Sequence, residues 1–72
     1  MDMVNIGKKL RELRGLQTAT GVARAIDIST SALLSYESGN RIPRDDIKKA
    51  LCKFYGVTVG EIFFPEDKDG DG

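Results

Sequence analysis

Apolar side chains recur at helical spacing from the start of the chain, with charged residues at most of the positions between them. Ile6, Leu10 and Leu13 follow an i, i+4, i+7 pattern in a segment that is otherwise rich in Lys and Arg. One apolar stripe on a charged segment is typical of an amphipathic helix that packs on a core with one face. We therefore predict a first helix that ends at Gly15.

Two further short helices are predicted in the middle of the chain. They run from Thr18 to Ile26 and from Ser29 to Gly39, and each begins with a hydroxyl residue suited to an N-cap. Only residues 27–28 separate them, so their axes must cross at a steep angle, as in a DNA-reading helix-turn-helix. The residues predicted to face inward are Val22, Ala23 and Ile26 in one helix, and Leu33 and Tyr36 in the other.

A fourth helix is predicted between Pro43 and Gly56. Proline favours the start of a helix, and Asp45 and Asp46 then lie in the first turn, where the helix dipole favours negative charge. The predicted apolar stripe comprises Ile47, Leu51, Phe54 and Tyr55, whereas Lys48, Lys49 and Lys53 are expected to face water.

The segment Thr58-Val59-Gly60-Glu61 matches a capping box and predicts a short fifth helix. This helix carries Ile62 and Phe63 back onto the other helices and ends before Pro65. The predicted architecture is all-α, with one compact five-helix domain over residues 1–64 and an acidic, disordered tail over residues 65–72.

Charge is distributed unevenly, although the net charge is zero. Through Gly60, ten Lys and Arg residues stand against six Asp and Glu residues, and from Glu61 onward one lysine stands against five acids. A mildly basic folded part suits a nucleic-acid surface. No apolar run is long enough for a membrane span or a secretory signal, so we expect a cytoplasmic protein with no membrane partner.

The available residue types argue against enzymatic and metal-binding roles. The chain has no histidine and one cysteine, Cys52, which excludes the usual zinc sets, His-dependent triads and an internal disulfide. The stretch Asp67-x-Asp69-x-Asp71-Gly72 matches only the first half of a calcium-binding loop. Because the chain also lacks a glycine-rich phosphate loop, we predict no enzymatic activity, no cofactor and no metal site.

Taken together, these segments resemble the Xre family, the Cro and repressor-like DNA-binding domains of phages and mobile elements. The resemblance covers about Ile6 to Phe64. It implies a lambda-repressor-like domain whose third helix enters the major groove, with transcriptional regulation as the usual role. The matching segments are Leu10-Arg11-Glu12-Leu13-Arg14-Gly15, Val22-Ala23-x-x-Ile26-x-Ile28-Ser29, Ala32-Leu33-x-x-Tyr36-Glu37-x-Gly39, Arg41-Ile42-Pro43-Arg44-Asp45-Asp46 and Phe54-Tyr55-Gly56-Val57-Thr58-Val59-x-Glu61-Ile62-Phe63.

The resemblance also implies roles for individual residues. Thr30, Ser31 and Ser35 correspond to readers of base edges, with solvated surface hydroxyls as the alternative. Arg14 and Glu37 correspond to an ion pair between the first and third helices, with two independent surface charges as the alternative. The residues that correspond to phosphate contacts are Thr18, Ser29, Ser38, Asn40 and Arg41.

The chain departs from the family pattern at two positions. Ala19 stands where family members often carry a glutamine that holds a phosphate. Leu34 stands where the family usually has a small or polar residue. For Leu34 three interpretations remain open, namely contact with a thymine methyl group, contact with a protein partner, and ordinary partial burial.

The partner implied by the resemblance is double-stranded DNA, bound by a homodimer. Dimerisation is expected through Phe54, Ile62, Phe63 or Phe64, unless these residues close the core of the monomer instead. An alternative function on the same fold is a protein-interaction module, similar to an antirepressor or antitoxin. Zero net charge and a recognition helix that carries hydroxyls without Arg or Gln favour that alternative.

Overall fold

The computed structural model describes residues 3–63, and the helices predicted from the sequence are all present in it. They are α1 (Met3–Arg14), α2 (Ala19–Ala25), α3 (Thr30–Ser38), α4 (Asp45–Tyr55) and α5 (Val59–Phe63). The prediction of an all-α fold with five helices is confirmed. Phe64, the predicted tail and its partial calcium-loop motif lie outside the described residues. No helix within residues 3–63 is long and apolar enough to cross a membrane.

Hydroxyl caps and one left-handed residue fix the turn between α2 and α3. The side-chain oxygen of Thr18 accepts from the Gly21 amide at 3.0 Å, and that of Ser29 accepts from the Ala32 amide at 3.0 Å. Between the helices, Asp27 adopts a φ of 61°, a conformation that Asp tolerates better than most residues. These local preferences place the start of α3 directly beside α2.

One core joins the helices, with α1 packed most extensively against α3, and α5 packed against α1 and α4. The apolar side chains of α3 that enter it are Leu33 and Tyr36, as the sequence predicted. Ile62 and Phe63 are also buried, which places them inside the protomer. The ten buried apolar residues are Ile6, Leu10, Val22, Ala23, Leu33, Tyr36, Leu51, Cys52, Ile62 and Phe63.

Three predictions about α4 are corrected by the structure. The helix begins at Asp45 and not at Pro43, because Arg44 is still extended and stands at the N-cap position. Pro43 precedes the helix and is fully buried. Phe54, predicted in the apolar stripe, is 40% exposed. Lys48, predicted to face water, keeps only 12% of its side chain exposed, because its ammonium group lies 5.3 Å from the Phe63 ring centre and 3.7 Å from Asp45 Oδ1.

The capping box of α5 forms as predicted. The Thr58 amide donates to Glu61 Oε2 at 3.0 Å, and the Glu61 amide donates to Thr58 Oγ1 at 3.2 Å. These two bonds satisfy amides that an α-helix leaves unpaired at its start. They allow a helix of five residues to deliver Ile62 and Phe63 into the core.

The closest approach of α1 to α3 occurs at Gly7, a residue to which the sequence pattern assigned no role. Gly7 is buried, and a Cβ added to it would lie 2.7 Å from the Glu37 carbonyl carbon and 2.8 Å from the Tyr36 carbonyl oxygen, with the Glu37 carbonyl oxygen closer still. All three atoms belong to the backbone of α3, which a side-chain rotation cannot move. Glycine is therefore required for α1 and α3 to pack at this distance.

Candidate nucleic-acid interface

One side of α3 is left open by the rest of the described chain, residues 3–63. Leu33, Tyr36 and Glu37 point into the domain, while Ser31, Leu34 and Ser38 are exposed, and Thr30 and Ser35 are partly exposed. At 3.6 residues per turn these five positions share one side of the helix. We call this side the outer face of α3, defined by Thr30, Ser31, Leu34, Ser35 and Ser38.

The hydroxyls of the outer face differ in the hydrogen bonds that they already make within the protein. Thr30 Oγ1 and Thr20 Oγ1 of α2 form a hydrogen bond at 3.3 Å, so the Thr30 hydroxyl already has one partner within the protein. Ser38 Oγ donates to the Ser35 carbonyl at 3.1 Å. Within residues 3–63, the side chains of Ser31 and Ser35 have no hydrogen-bond partner. Those two hydroxyls are consequently able to donate or accept at a base edge.

The residues predicted to contact phosphates fall into two groups. Thr18 and Ser29 use their side-chain oxygens as acceptors for helix amides, which leaves each hydroxyl proton available to an acceptor such as phosphate. Ser38 is less suited to that role because its proton is already donated within α3. Asn40 and Arg41 are exposed beyond the end of the helix.

Backbone and ring contacts hold Arg41 in position at the end of α3. The amides of Asn40 and Arg41 donate to the Ser35 carbonyl at 3.0 and 3.3 Å. The Arg41 guanidinium carbon lies 5.8 Å from the centre of the Tyr36 ring, a distance at which a cation is attracted to the ring face. An exposed cation is thus presented next to the outer face.

A bidentate ion pair connects α1 to α3. Arg14 Nε lies 2.7 Å from Glu37 Oε2, and Arg14 Nη2 donates to Glu37 Oε1 at 3.0 Å. Arg14 Nη1 also donates to the Gln17 carbonyl at 2.9 Å. The Arg14 side chain is 16% exposed and that of Glu37 is 4% exposed, so the pair is largely removed from water. The structure therefore places these residues as a shared structural element and not as independent surface charges.

The surroundings of this pair raise the pKa values of Arg14 and of the neighbouring Tyr55. The hydrogen bonds to Glu37 raise the pKa of Arg14 above its usual value, although burial opposes them. Burial raises the pKa of the Tyr55 phenol, whose oxygen has no hydrogen-bond partner among the described residues. Arg14 therefore stays charged and Tyr55 stays neutral at physiological pH.

The cysteine of the chain, Cys52, is a buried side chain of the core. Burial raises the pKa of the Cys52 thiol, and the Glu61 carboxylate raises it further, so the thiol is protonated at neutral pH and acts as a core side chain. Within residues 3–63, no group of three His, Cys, Asp or Glu side chains is placed to hold a metal ion.

The surface expected to support self-association is smaller than predicted. Ile62 and Phe63 close the core of the protomer, which was the alternative for these residues. Phe54 stays exposed, packs edge-to-face on Tyr55 with ring centres 5.4 Å apart, and borders an open groove between α2 and α4. The other residues that line this groove are Ala25, Ile26, Ala50 and Lys53.

Two residues important to the interface were missed by sequence reasoning. Gly7 sets the distance between α1 and α3, and Thr20 provides the hydrogen-bond partner of Thr30. A signal for Thr20 exists in the sequence, since hydroxyl residues occur at the start of both α2 and α3. Which hydroxyls of α2 and α3 come into contact depends on how the two helices cross. Helix periodicity alone does not give the distance between Thr20 and Thr30.

The fold and this exposed helix define a helix-turn-helix domain, and comparison with known proteins agrees. A protein-family model described as a helix-turn-helix domain matches residues 6–62, and the chain belongs to that family. The predicted resemblance to Xre-type DNA-binding domains is confirmed.

Among characterised proteins, the chain is similar to the cryptic phage CTXphi transcriptional repressor RstR of Vibrio cholerae, with 34% identity over 56 residues. The match covers 75% of this chain and 50% of that protein, so the chain spans about half the length of this relative. No solved structure shows significant similarity to the chain.

Proposed function

We propose that this protein is a DNA-binding transcriptional regulator of the Cro and repressor type, which reads the major groove with α3. The observation that carries the proposal is the outer face of α3, a side of a braced helix that no other part of the described chain covers. Membership of the helix-turn-helix family and similarity to a phage repressor support the same role. The proposed role involves no catalysis.

Within this proposal, Ser31 and Ser35 are the principal base-reading hydroxyls, and Thr30 contributes beside them. The Thr30 hydroxyl shares a hydrogen bond with Thr20 at 3.3 Å, whereas Ser31 and Ser35 have both donor and acceptor capacity available. Thr18, Ser29, Asn40 and Arg41 are proposed to contact the phosphates that flank the site, and Ser38 contributes only after its hydroxyl rotates.

Specific binding by a single domain of this size is weak, so we propose that the protein acts as a dimer. Two copies would read half-sites about 34 to 36 Å apart, one turn of the duplex. Of the residues predicted to mediate self-association, Phe54 is the one that lies exposed in the described part of the chain. Because its proposed target is DNA, we also propose the cytoplasm as its location.

Selection of bound fragments from randomised duplex DNA tests the proposal. We expect a pseudo-palindromic consensus for the wild-type protein. We further expect Ser31→Ala and Ser35→Ala each to weaken binding to that consensus by about five- to tenfold, the effect of one lost hydrogen bond. Both side chains lie outside the core, so thermal stability is expected to stay near the wild-type value.

Thr58→Ala is the matched control, since it removes a hydroxyl from the α5 capping box instead of α3. It is expected to lower stability by about 1 kcal/mol while leaving affinity intact below its melting temperature. If Thr30→Ala, Ser31→Ala and Ser35→Ala all select the same consensus as the wild type, the assignment of these residues as base readers is wrong.

The salt dependence of the affinity for the same duplex distinguishes DNA binding from the protein-interaction role. Phosphate contact makes the logarithm of the association constant fall with the logarithm of salt concentration, by about 0.9 per neutralised phosphate. Equal affinity at about 50 and 200 mM salt, for consensus and random duplexes alike, would count against the regulator and favour the interaction module.

A further inference from the structure

Leu34 is an apolar side chain on a face that is otherwise made of hydroxyls. It is 45% exposed, and within the described residues it is the one large exposed hydrophobic residue on α3. Ser31 precedes it by three positions and Ser38 follows it by four, so both neighbour it on the helix surface. Leu34 therefore lies among the hydroxyls proposed to meet the bases.

The structure shows how far Leu34 is buried, which bears on the third interpretation that the sequence left open. The side chain belongs neither to the buried core nor to the partly buried residues packed against that core. It keeps 45% of its surface exposed, so an apolar part of the side chain stays in contact with water after folding. Partial burial accounts for the covered part of this leucine and leaves the exposed part available to a ligand.

Contact with a protein partner is poorly supported by the surroundings of Leu34. The buried centre of a protein interface is enriched in apolar and aromatic side chains, whereas the other four members of the outer face are Ser or Thr. A single leucine surrounded by hydroxyls instead matches a base edge that combines polar atoms with one apolar group. In the major groove, the C5-methyl group of thymine is that apolar group.

We infer that Leu34 contacts the methyl group of a thymine, so that each half-site carries a thymine at the position facing this side chain. The inference rests on the proposed function and adds a specificity-determining residue to it. Serine and threonine hydroxyls both donate and accept, and so they discriminate poorly between bases. An apolar contact supplies the discrimination that the hydroxyls alone do not.

Replacing each thymine of the selected duplex in turn by deoxyuridine, which lacks the methyl group, tests this inference. For the wild-type protein, we expect one thymine in each half-site where the replacement weakens binding about fourfold, as expected for one buried methyl group. For Leu34→Ala, the same replacement is expected to have no effect, because the contact is already absent. Such a double-mutant cycle isolates the interaction between the two groups.

Leu16→Ala is the matched control, since Leu16 is fully exposed outside α3 and loses the same atoms. It is expected to show the wild-type response at every thymine. Thermal melts of both variants should match the wild type, because neither leucine packs on the core.

Two results would overturn the inference. One is a wild-type protein that tolerates deoxyuridine at every position, which requires no variant to fold. The other is a methyl effect of equal size in the wild type and Leu34→Ala. Failure of the proposed function looks different, because selection would then yield no preferred duplex to scan.

Discussion

Replacing Gly7 by alanine is expected to lower the free energy of unfolding by about 3 kcal/mol or more. The added methyl group would meet the Glu37 carbonyl carbon at 2.7 Å and the Tyr36 carbonyl oxygen at 2.8 Å. The backbone of α3 has to move away, which disturbs the most extensive helix contact in the domain. For a domain of this size, that loss corresponds to a melting temperature lower by about 12 °C or more.

Gly60→Ala provides the matched control for Gly7→Ala. Gly60 also lies within a helix, but a Cβ added there would meet only Thr58 Oγ1, at 4.0 Å. Alanine is about 1 kcal/mol better than glycine inside a helix, so stability should stay constant or rise. A Gly7→Ala protein that melts at or above the wild-type temperature would show that α1 and α3 do not approach as described.

Breaking the Arg14–Glu37 pair is expected to cost about 3 to 5 kcal/mol, whichever partner is removed. The Glu37 side chain is 4% exposed and has Arg14 as its bidentate partner, so Arg14→Ala leaves a carboxylate stranded away from water. Glu37→Gln strands the guanidinium in turn. Urea or thermal unfolding followed by circular dichroism measures both variants directly.

Arg44→Ala is the control for loss of an exposed ion pair. Arg44 and Asp46 lie 3.8 Å apart with 83% and 71% of their side chains exposed, so removing that pair should change stability by about 1 kcal/mol at most. An Arg14→Ala protein as stable as Arg44→Ala would contradict the structural role of the buried pair. Since Arg14→Ala is expected to destabilise the domain, loss of DNA binding by this variant is informative only below its melting temperature.

Local signals in the sequence were sufficient to locate the helices. Thr18 and Ser29 act as N-caps, Gly39 and Gly56 end their helices in the left-handed conformation, and Thr58 opens the last helix. Each of these is a short-range preference of backbone geometry or hydrogen bonding, which a single sequence displays directly. The five-helix architecture followed from them.

Errors occurred where tertiary packing decides the outcome. Lys48 is covered because α5 brings Phe63 against it, whereas Phe54 borders the open groove between α2 and α4 and stays exposed. The sequence shows only that Gly7 is a glycine within a helix, which is normally unfavourable. Its role depends on the close approach of α1 and α3, which the sequence does not show. The periodicity of apolar residues shows which side of a helix is apolar, but it does not show which other helix packs against that side.

In the candidate site too, some features were predicted from the sequence and others became apparent only in the structure. The outward direction of the α3 hydroxyls follows from helix periodicity, and the structure places them on one open side. The hydrogen bonds that Thr30 and Ser38 already make became visible only from their distances to Thr20 and to the Ser35 carbonyl. Those distances change which hydroxyls are assigned to bases and which to phosphates.

An amide NMR titration of the folded protein with the selected duplex tests the central claim most directly, namely that the outer face of α3 is the surface that meets DNA. We expect the largest chemical-shift changes from Ser29 to Arg41, together with the start of α2 near Thr18. We expect small changes around Phe54 and Lys53 in the groove between α2 and α4. Shifts concentrated in that groove, with the α3 amides unchanged at saturating duplex, would contradict the account.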